Sequence, residues 1–316
     1  MKYLIAFFFI VTTAFAQKKF TVIDASTKAP VPYAGINLNN GYGIYAGEDG
    51  SVIITDTSVT AITVSSVGYR EKRADISSIT DVLTLEPQPI ELKEVVVSKK
   101  KSKKREDVIK AKLHRDNGAM YMSSIGLQYA FLVKSDKKEA YLSKIILPVF
   151  KAAFEAEGRP GTFDKVPFRT FVKIEVLENN GGQPGERLFD LGQVAIVDNN
   201  NKEEPFGITL TEELPVAENG MFLQITILGR VNPDGSLSNE VGYLTSTDPD
   251  GSVRKWPKYC QPNFPLVERP KGVLTFIREP FSNNNSWHAI NEPHLHEIKK
   301  YPDFNIGFGY TIIAYE

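Results

Sequence analysis

The chain has 316 residues, 42% of them apolar, and 37 Lys and Arg against 38 Asp and Glu, for a formal net charge of −1. That balance supplies no global field to draw nucleic acid or an anionic membrane to the surface, so partners have to be read from local features. The single cysteine, Cys260, excludes an intrachain disulfide and is expected as a buried, small apolar side chain.

The first sixteen residues follow the order of a secretory signal peptide: Lys2, an apolar run from Leu4 to Val11, then Ala14-Phe15-Ala16 before Gln17. The run is shorter than the roughly 20 residues a membrane-spanning helix needs, so residues 1–16 are expected to be cleaved and no transmembrane span is expected. No Cys follows Ala16, so a lipoprotein lipobox is missing. What remains has room for two domains at the usual ~100–200 residues each.

From Lys19 to Leu85, short β-rich runs alternate with turn signals, the pattern of a small antiparallel sandwich. Phe20 to Asp24 reads as a strand, as do Val31 to Leu38, Tyr42 to Ala46, Ser51 to Ile54, Ala61 to Ser65 and Asp81 to Leu85. Asn39-Asn40-Gly41 and Gly47-Glu48-Asp49-Gly50 read as turns, with Gly50 free to take a positive φ.

The order Val22-Ile23-Asp24, Thr27, Pro30-Val31-Pro32-Tyr33-Ala34, Asp49-Gly50-Ser51-Val52-Ile53, Ile62-Thr63-Val64-Ser65-Ser66-Val67-Gly68-Tyr69, Leu83-Thr84-Leu85 and Leu92-Lys93-Glu94-Val95-Val96-Val97 resembles the carboxypeptidase-regulatory-like domain over about residues 19–97, within an expected domain of residues 17–97. The resemblance implies a transthyretin-like β-sandwich of the kind found in exported Bacteroidetes proteins, and it implies no peptidase activity. A zinc peptidase needs histidine ligands, and residues 17–97 contain no histidine. Ser66 to Tyr69 is read as structural, with Gly68 turning a corner and Tyr69 burying its ring while its hydroxyl reaches a wet edge.

Residues 98–118 are expected to be a basic linker, Lys99 to Arg105, followed by a short helix over Glu106 to Gly118 with Val108, Ile109 and Leu113 as its apolar side. Residues 119–316 carry about eight strand signals and no amphipathic helix of length. The clearest signal is Thr170 to Leu177, which alternates as a half-buried strand. The expected fold is therefore all-β, with the transthyretin-like sandwich followed by a larger, jelly-roll-like β-sandwich. Lys144 to Val149, Pro167 to Val176 and Gly185 to Leu188, with Asn179 to Gly185 as the loop joining a strand pair, resemble the adhesin-like or carbohydrate-module-like sandwiches of exported Bacteroidetes proteins.

Candidate sites are few. His288, His294 and His296 form a candidate imidazole set for a metal, although no H-E-x-x-H motif is present. Asn232-Pro233-Asp234-Gly235 and Asp248-Pro249-Asp250-Gly251 offer oxygen ligands but are also ordinary turns. Trp256, Tyr259 and Trp287 lie in polar segments and are candidates for stacking on a sugar. No nucleophile motif occurs, and no catalytic residue and no cofactor are expected. The expected function is a non-catalytic, exported cell-envelope protein that binds or assembles with a protein or glycan, in the periplasm or at the outer-membrane surface. The alternative is a hydrolase of envelope or dietary polymer using unidentified carboxylates in 119–316.

Overall fold

The computed structural model describes residues 17–88, 104–113, 120–137, 139–149, 168–198, 205–268, 275–291 and 304–315. The expected signal peptide, the Glu94-Val97 strand and most of the basic block fall outside them. The described residues are all β apart from one 3-10 turn at Ile76–Ser78, and none of their helices is long and apolar enough to cross a membrane.

The first sandwich contains β1 (Lys18–Asp24), β2 (Gly35–Asn37), β3 (Gly43–Tyr45), β4 (Ser51–Ile54), β5 (Ala61–Ser65), β6 (Lys72–Asp75) and β7 (Val82–Leu85). One sheet has the order β4-β1-β7 and the other β3-β2-β5-β6. Period-2 alternation sends Phe20, Val22, Ile36, Val52, Ile62, Val64 and Leu85 into one core. Gly50 has φ 73°, and a Cβ there would lie 2.5 Å from the Val22 carbonyl oxygen, so the second turn needs glycine. Gly68 turns its corner at φ 79°, and the Tyr69 hydroxyl donates to Asp24 Oδ2 at 3.0 Å.

The second sandwich runs through β8 (Lys104–Ile109), β9 (Met120–Tyr121), β10 (Gln128–Val133), β11 (Ala140–Leu147), β12 (Arg169–Asn180), β13 (Gln183–Asp198), β14 (Phe206–Pro215) and β15 (Met221–Arg230). It continues with β16 (Tyr243–Thr247), β17 (Val253–Pro257), β18 (Phe264–Glu268), β19 (Thr275–Arg278), β20 (His288–Ala289), β21 (Phe304–Ile306) and β22 (Gly309–Tyr315). A six-stranded sheet, β13-β12-β15-β10-β19-β20, packs on a four-stranded one, β14-β11-β22-β8, and a smaller one, β21-β18-β9. Tyr129, Phe131, Phe264 and Phe308 fill the centre, with the Phe131 and Phe308 rings stacked at 4.5 Å. Cys260 is buried in this core as expected.

The structure corrects the expected helix after the basic block. Lys104–Ile109 is a strand that runs antiparallel to β22 along the sheet edge, and Val108 is exposed rather than packed on an apolar helix face. The open hydrogen-bonding edge of β22 gives every second peptide of this charged run a partner, which a short helix without a buried stripe would not gain. The described part of the second sandwich also has more strands than the eight expected, because two-residue pairings such as β9 and β20 leave no periodicity to read.

Two devices join the sandwiches. Phe281, from the loop after β19, is a wedge: its ring lies where a Cβ on Gly43 would come within 2.5 Å and one on Gly126 within 2.8 Å. It packs on Tyr45 at 5.4 Å between centroids, in an apolar cluster with Leu228 and Leu237. The β16–β17 hairpin is a clasp. It buries Tyr243 in the first core, where the Tyr243 hydroxyl bonds Asp56 and Lys255 Nζ reaches Asp56 Oδ2 at 3.2 Å.

Candidate functional site

The two faces of the six-stranded sheet differ in chemistry. On β12, Val172, Ile174 and Val176 enter the core, so Phe171, Lys173, Glu175 and Leu177 face outward. The same alternation leaves Gln224 and Thr226 of β15, Gln128 of β10 and Arg278 of β19 on that outer face. Strand register aligns them: Lys173 pairs with Thr226, Thr226 with Gln128, and Gln128 with Arg278. The neighbouring row sets Glu175 beside Gln224. Apolar side chains border these rows on both sides, Phe171 and Leu228 toward the first sandwich, and Leu177, Phe222 and Phe276 away from it.

The rows are knitted together. Gln224 Nε2 donates to Glu175 Oε2 at 2.5 Å and to Thr226 Oγ1 at 3.1 Å. Glu175 Oε1 is also paired with Lys173 Nζ at 3.1 Å and with Arg187. Irregular register between β12 and β13 sets Arg187 opposite Leu177, on the outer face, where it reaches Glu175. Arg278 Nε donates to Gln128 Oε1 at 2.7 Å and Nη2 to Gln224 Oε1 at 3.4 Å, while its guanidinium lies 4.4 Å over the Trp287 ring. Burial pulls the Arg278 pKa below its ordinary value, opposed by Tyr45 and by Glu186.

The first sandwich roofs this face. Gly35 and Asn37 of β2, Thr63 and Ser65 of β5, and Ser66, Val67 and Glu71 line an open cleft of about 610 Å3 together with Gln128, Glu175, Gln224 and Arg278, and the buried Tyr45 and Phe281 also border it. Tyr33 joins the wall with φ 52°, an unusual backbone state for a bulky residue, and packs on Phe171. The floor holds Lys173, Arg187 and Arg278 against Glu175, with Glu71 and Glu186 nearer the rim. Such a site can hydrogen-bond a polar ligand through amide, hydroxyl and guanidinium groups held in place before it arrives.

The residues singled out from sequence are scattered. Trp256 is 52% exposed on the clasp hairpin, its Nε1 donating to Ser246 Oγ at 3.0 Å, and Tyr259 is 42% exposed just beyond it. Trp287 alone stands beside the cleft, under Arg278. His288 Nε2 is within 3.1 Å of Ser286 Oγ, and His294 and His296 lie outside the described residues. Among the described residues no group of three or more His, Cys, Asp or Glu is placed to hold a metal. Asp234 and Asp250 accept from the backbone N–H of Ser236 and Ser252, at 2.9 Å each, within their own turns. Ser66 and Val67, read as structural, line the cleft as well.

The fold and cleft together define an all-β protein of paired sandwiches with a polar groove between them. No family model matches the chain, and no curated protein matches it. Among solved structures it is similar to a clostridial cysteine protease, Cwp84 after propeptide cleavage, at 13% identity and a TM-score of 0.32, over 69% of this chain and 42% of that one. The chain thus spans less than half the length of that protein, and so distant a likeness carries no argument about activity.

Proposed function

We propose that this is a non-catalytic, exported cell-envelope protein that binds a glycan in the cleft between its sandwiches. One observation carries the reading: six polar side chains from four adjacent strands, Lys173, Glu175, Gln224, Thr226, Gln128 and Arg278, converge on one covered sheet face. Polar groups on a covered face are costly unless satisfied, and planar amides and guanidinia in register suit a ligand bearing many hydroxyls. A cleft of about 610 Å3 is of ligand-pocket size. Its main surfaces are faces of strands paired on both sides, β12, β15 and β10 below and β2 and β5 above, so an extended peptide finds no free edge there to extend a sheet. The signal-like residues 1–16 and the resemblance over 17–97 support an address in the periplasm or at the outer-membrane surface.

Binding is favoured over hydrolysis by the state of Glu175. Both its oxygens are engaged, by Lys173, Arg187 and Gln224, which ties its carboxyl group into the floor rather than leaving it free as one of a pair of working carboxylates. The test is retention of glycan from the native envelope on immobilised protein. Ser65→Trp fills the cleft from the exposed side of β5, without disturbing the buried floor. The wild type should retain glycan and the variant should lose at least about 10-fold in affinity, a small loss beside the range that a blocked site permits. Equal retention by both proteins would rule out the cleft.

A further inference from the structure

Arg278 differs from the other cations of the cleft. Lys173 and Arg187 are both spent on Glu175. Among the described residues, by contrast, no carboxylate comes within ion-pairing distance of Arg278, whose polar contacts are two amide oxygens, Gln128 Oε1 at 2.7 Å and Gln224 Oε1 at 3.4 Å. Arg278 is half-buried, its guanidinium carbon lies 4.4 Å over the Trp287 ring, and its Nη1 has no hydrogen-bond partner among those residues. Glu186, which acts on it from a distance, stands at the rim and is exposed.

Partial burial makes an unpaired guanidinium costly, and a carboxylate supplied by a ligand would remove that cost. The geometry is suited to the purpose. Trp287 supports the guanidinium from one side, Gln128 and Gln224 hold its Nε and Nη2, and the N–H groups without a partner among the described residues are left for a planar, two-oxygen acceptor. Next to it, Gln128, Thr226 and Gln224 provide the amide and hydroxyl groups that a sugar ring carrying that carboxylate would meet. We propose that the cleft is specific for an acidic saccharide, with Arg278 receiving the carboxylate of a uronic-acid residue and the Gln128–Thr226–Gln224 row receiving its hydroxyls. The inference rests on the cleft being a glycan site and adds the class of glycan.

The proposal separates ligands that differ only in charge. The mature protein is titrated calorimetrically with oligogalacturonate, oligomannuronate and oligoguluronate, with their methyl esters, and with neutral oligosaccharides of the same length. At least one free acid should bind about 10- to 100-fold more tightly than its own ester, the usual span for adding a charge-assisted, two-point hydrogen bond. Arg278→Gln should bring acid and ester to the same affinity, the acid losing about 10- to 100-fold more than the ester. Arg278→Lys, which keeps the charge and loses the fork, should fall between. If Arg278→Gln does not fold, the acid-to-ester ratio of the wild type decides by itself. Equal affinity for acid and ester overturns the role of Arg278 while leaving a neutral-glycan site in the cleft, provided that binding is lost in Ser65→Trp. Failure of every saccharide to bind overturns both this inference and the glycan reading beneath it.

Discussion

Asp56 sits where the clasp hairpin meets the first sandwich, and opposing influences act on its carboxyl group. Burial would raise its pKa, but hydrogen bonds from Ser58, Tyr243 and Lys255 outweigh burial and hold it at about 2, below the ordinary 3.8. A carboxylate whose folded value is depressed contributes stability that is complete above its unfolded pKa and is lost as pH falls through the folded one. The window for Asp56 is therefore between about pH 4 and pH 2. Asp56→Asn should cost roughly 1 to 3 kcal/mol at neutral pH. The gap between wild type and variant in urea unfolding should then shrink as pH drops from 4 to 2, and a gap constant over that range would contradict the assignment. Single residues are legible in the sequence where local chemistry decides: Gly50 and Gly68 take the positive φ expected of turns, and Cys260 is buried. Arg278 is not legible there. Its partners Gln128 and Gln224 are 150 and 54 residues away in the chain, and only strand pairing brings the three together.

At the scale of elements, the wedge and its socket explain why β3 carries a glycine at position 43. A Cβ there would come within 2.5 Å of the Phe281 ring atoms, so Gly43→Ala should destabilise the protein by about 1 to 3 kcal/mol through overpacking. Phe281→Ala should cost about 3 to 5 kcal/mol by leaving the socket empty. With the ring gone, the added methyl has space, and the Gly43→Ala penalty should largely vanish in the double variant. Additive penalties in equilibrium unfolding would show that the two do not meet. The strand at β12 shows how far periodicity carries. Thr170 to Leu177 does alternate, and its apolar residues do enter the core. Alternation alone shows a half-buried strand and does not reveal that its opposite face meets a second sandwich rather than water, so nothing in the sequence marks Lys173 and Glu175 as the floor of a cleft. The strand at β8 shows the reverse failure: its apolar residues fit a helical spacing, but the open edge of β22 decides its conformation.

For the whole molecule, the consequence is a fixed relation between two cores. The all-β class follows from β-rich runs punctuated by turns, a local pattern that the sequence carries by itself. The arrangement of the two sandwiches depends instead on contacts as distant as Asp56 with Tyr243 and Gly43 with Phe281. Wedge and clasp hold the sandwiches so that one β-face roofs another and polar rows that would otherwise be solvated become a shaped groove. Rigidity of this kind lowers the ordering cost of binding, because the groups are in place beforehand. The sugar-stacking candidates divide accordingly: Trp287 stands beside the groove through Arg278, Trp256 is on the clasp, and Tyr259 lies just beyond it. The most direct measurement is a crystal structure of the protein soaked with a glycan captured in the retention test. Sugar rings should lie between Thr63, Ser65 and Ser66 above and Gln128, Gln224 and Arg278 below. Sugar stacked on Trp256 and Tyr259, with the groove empty, would contradict it.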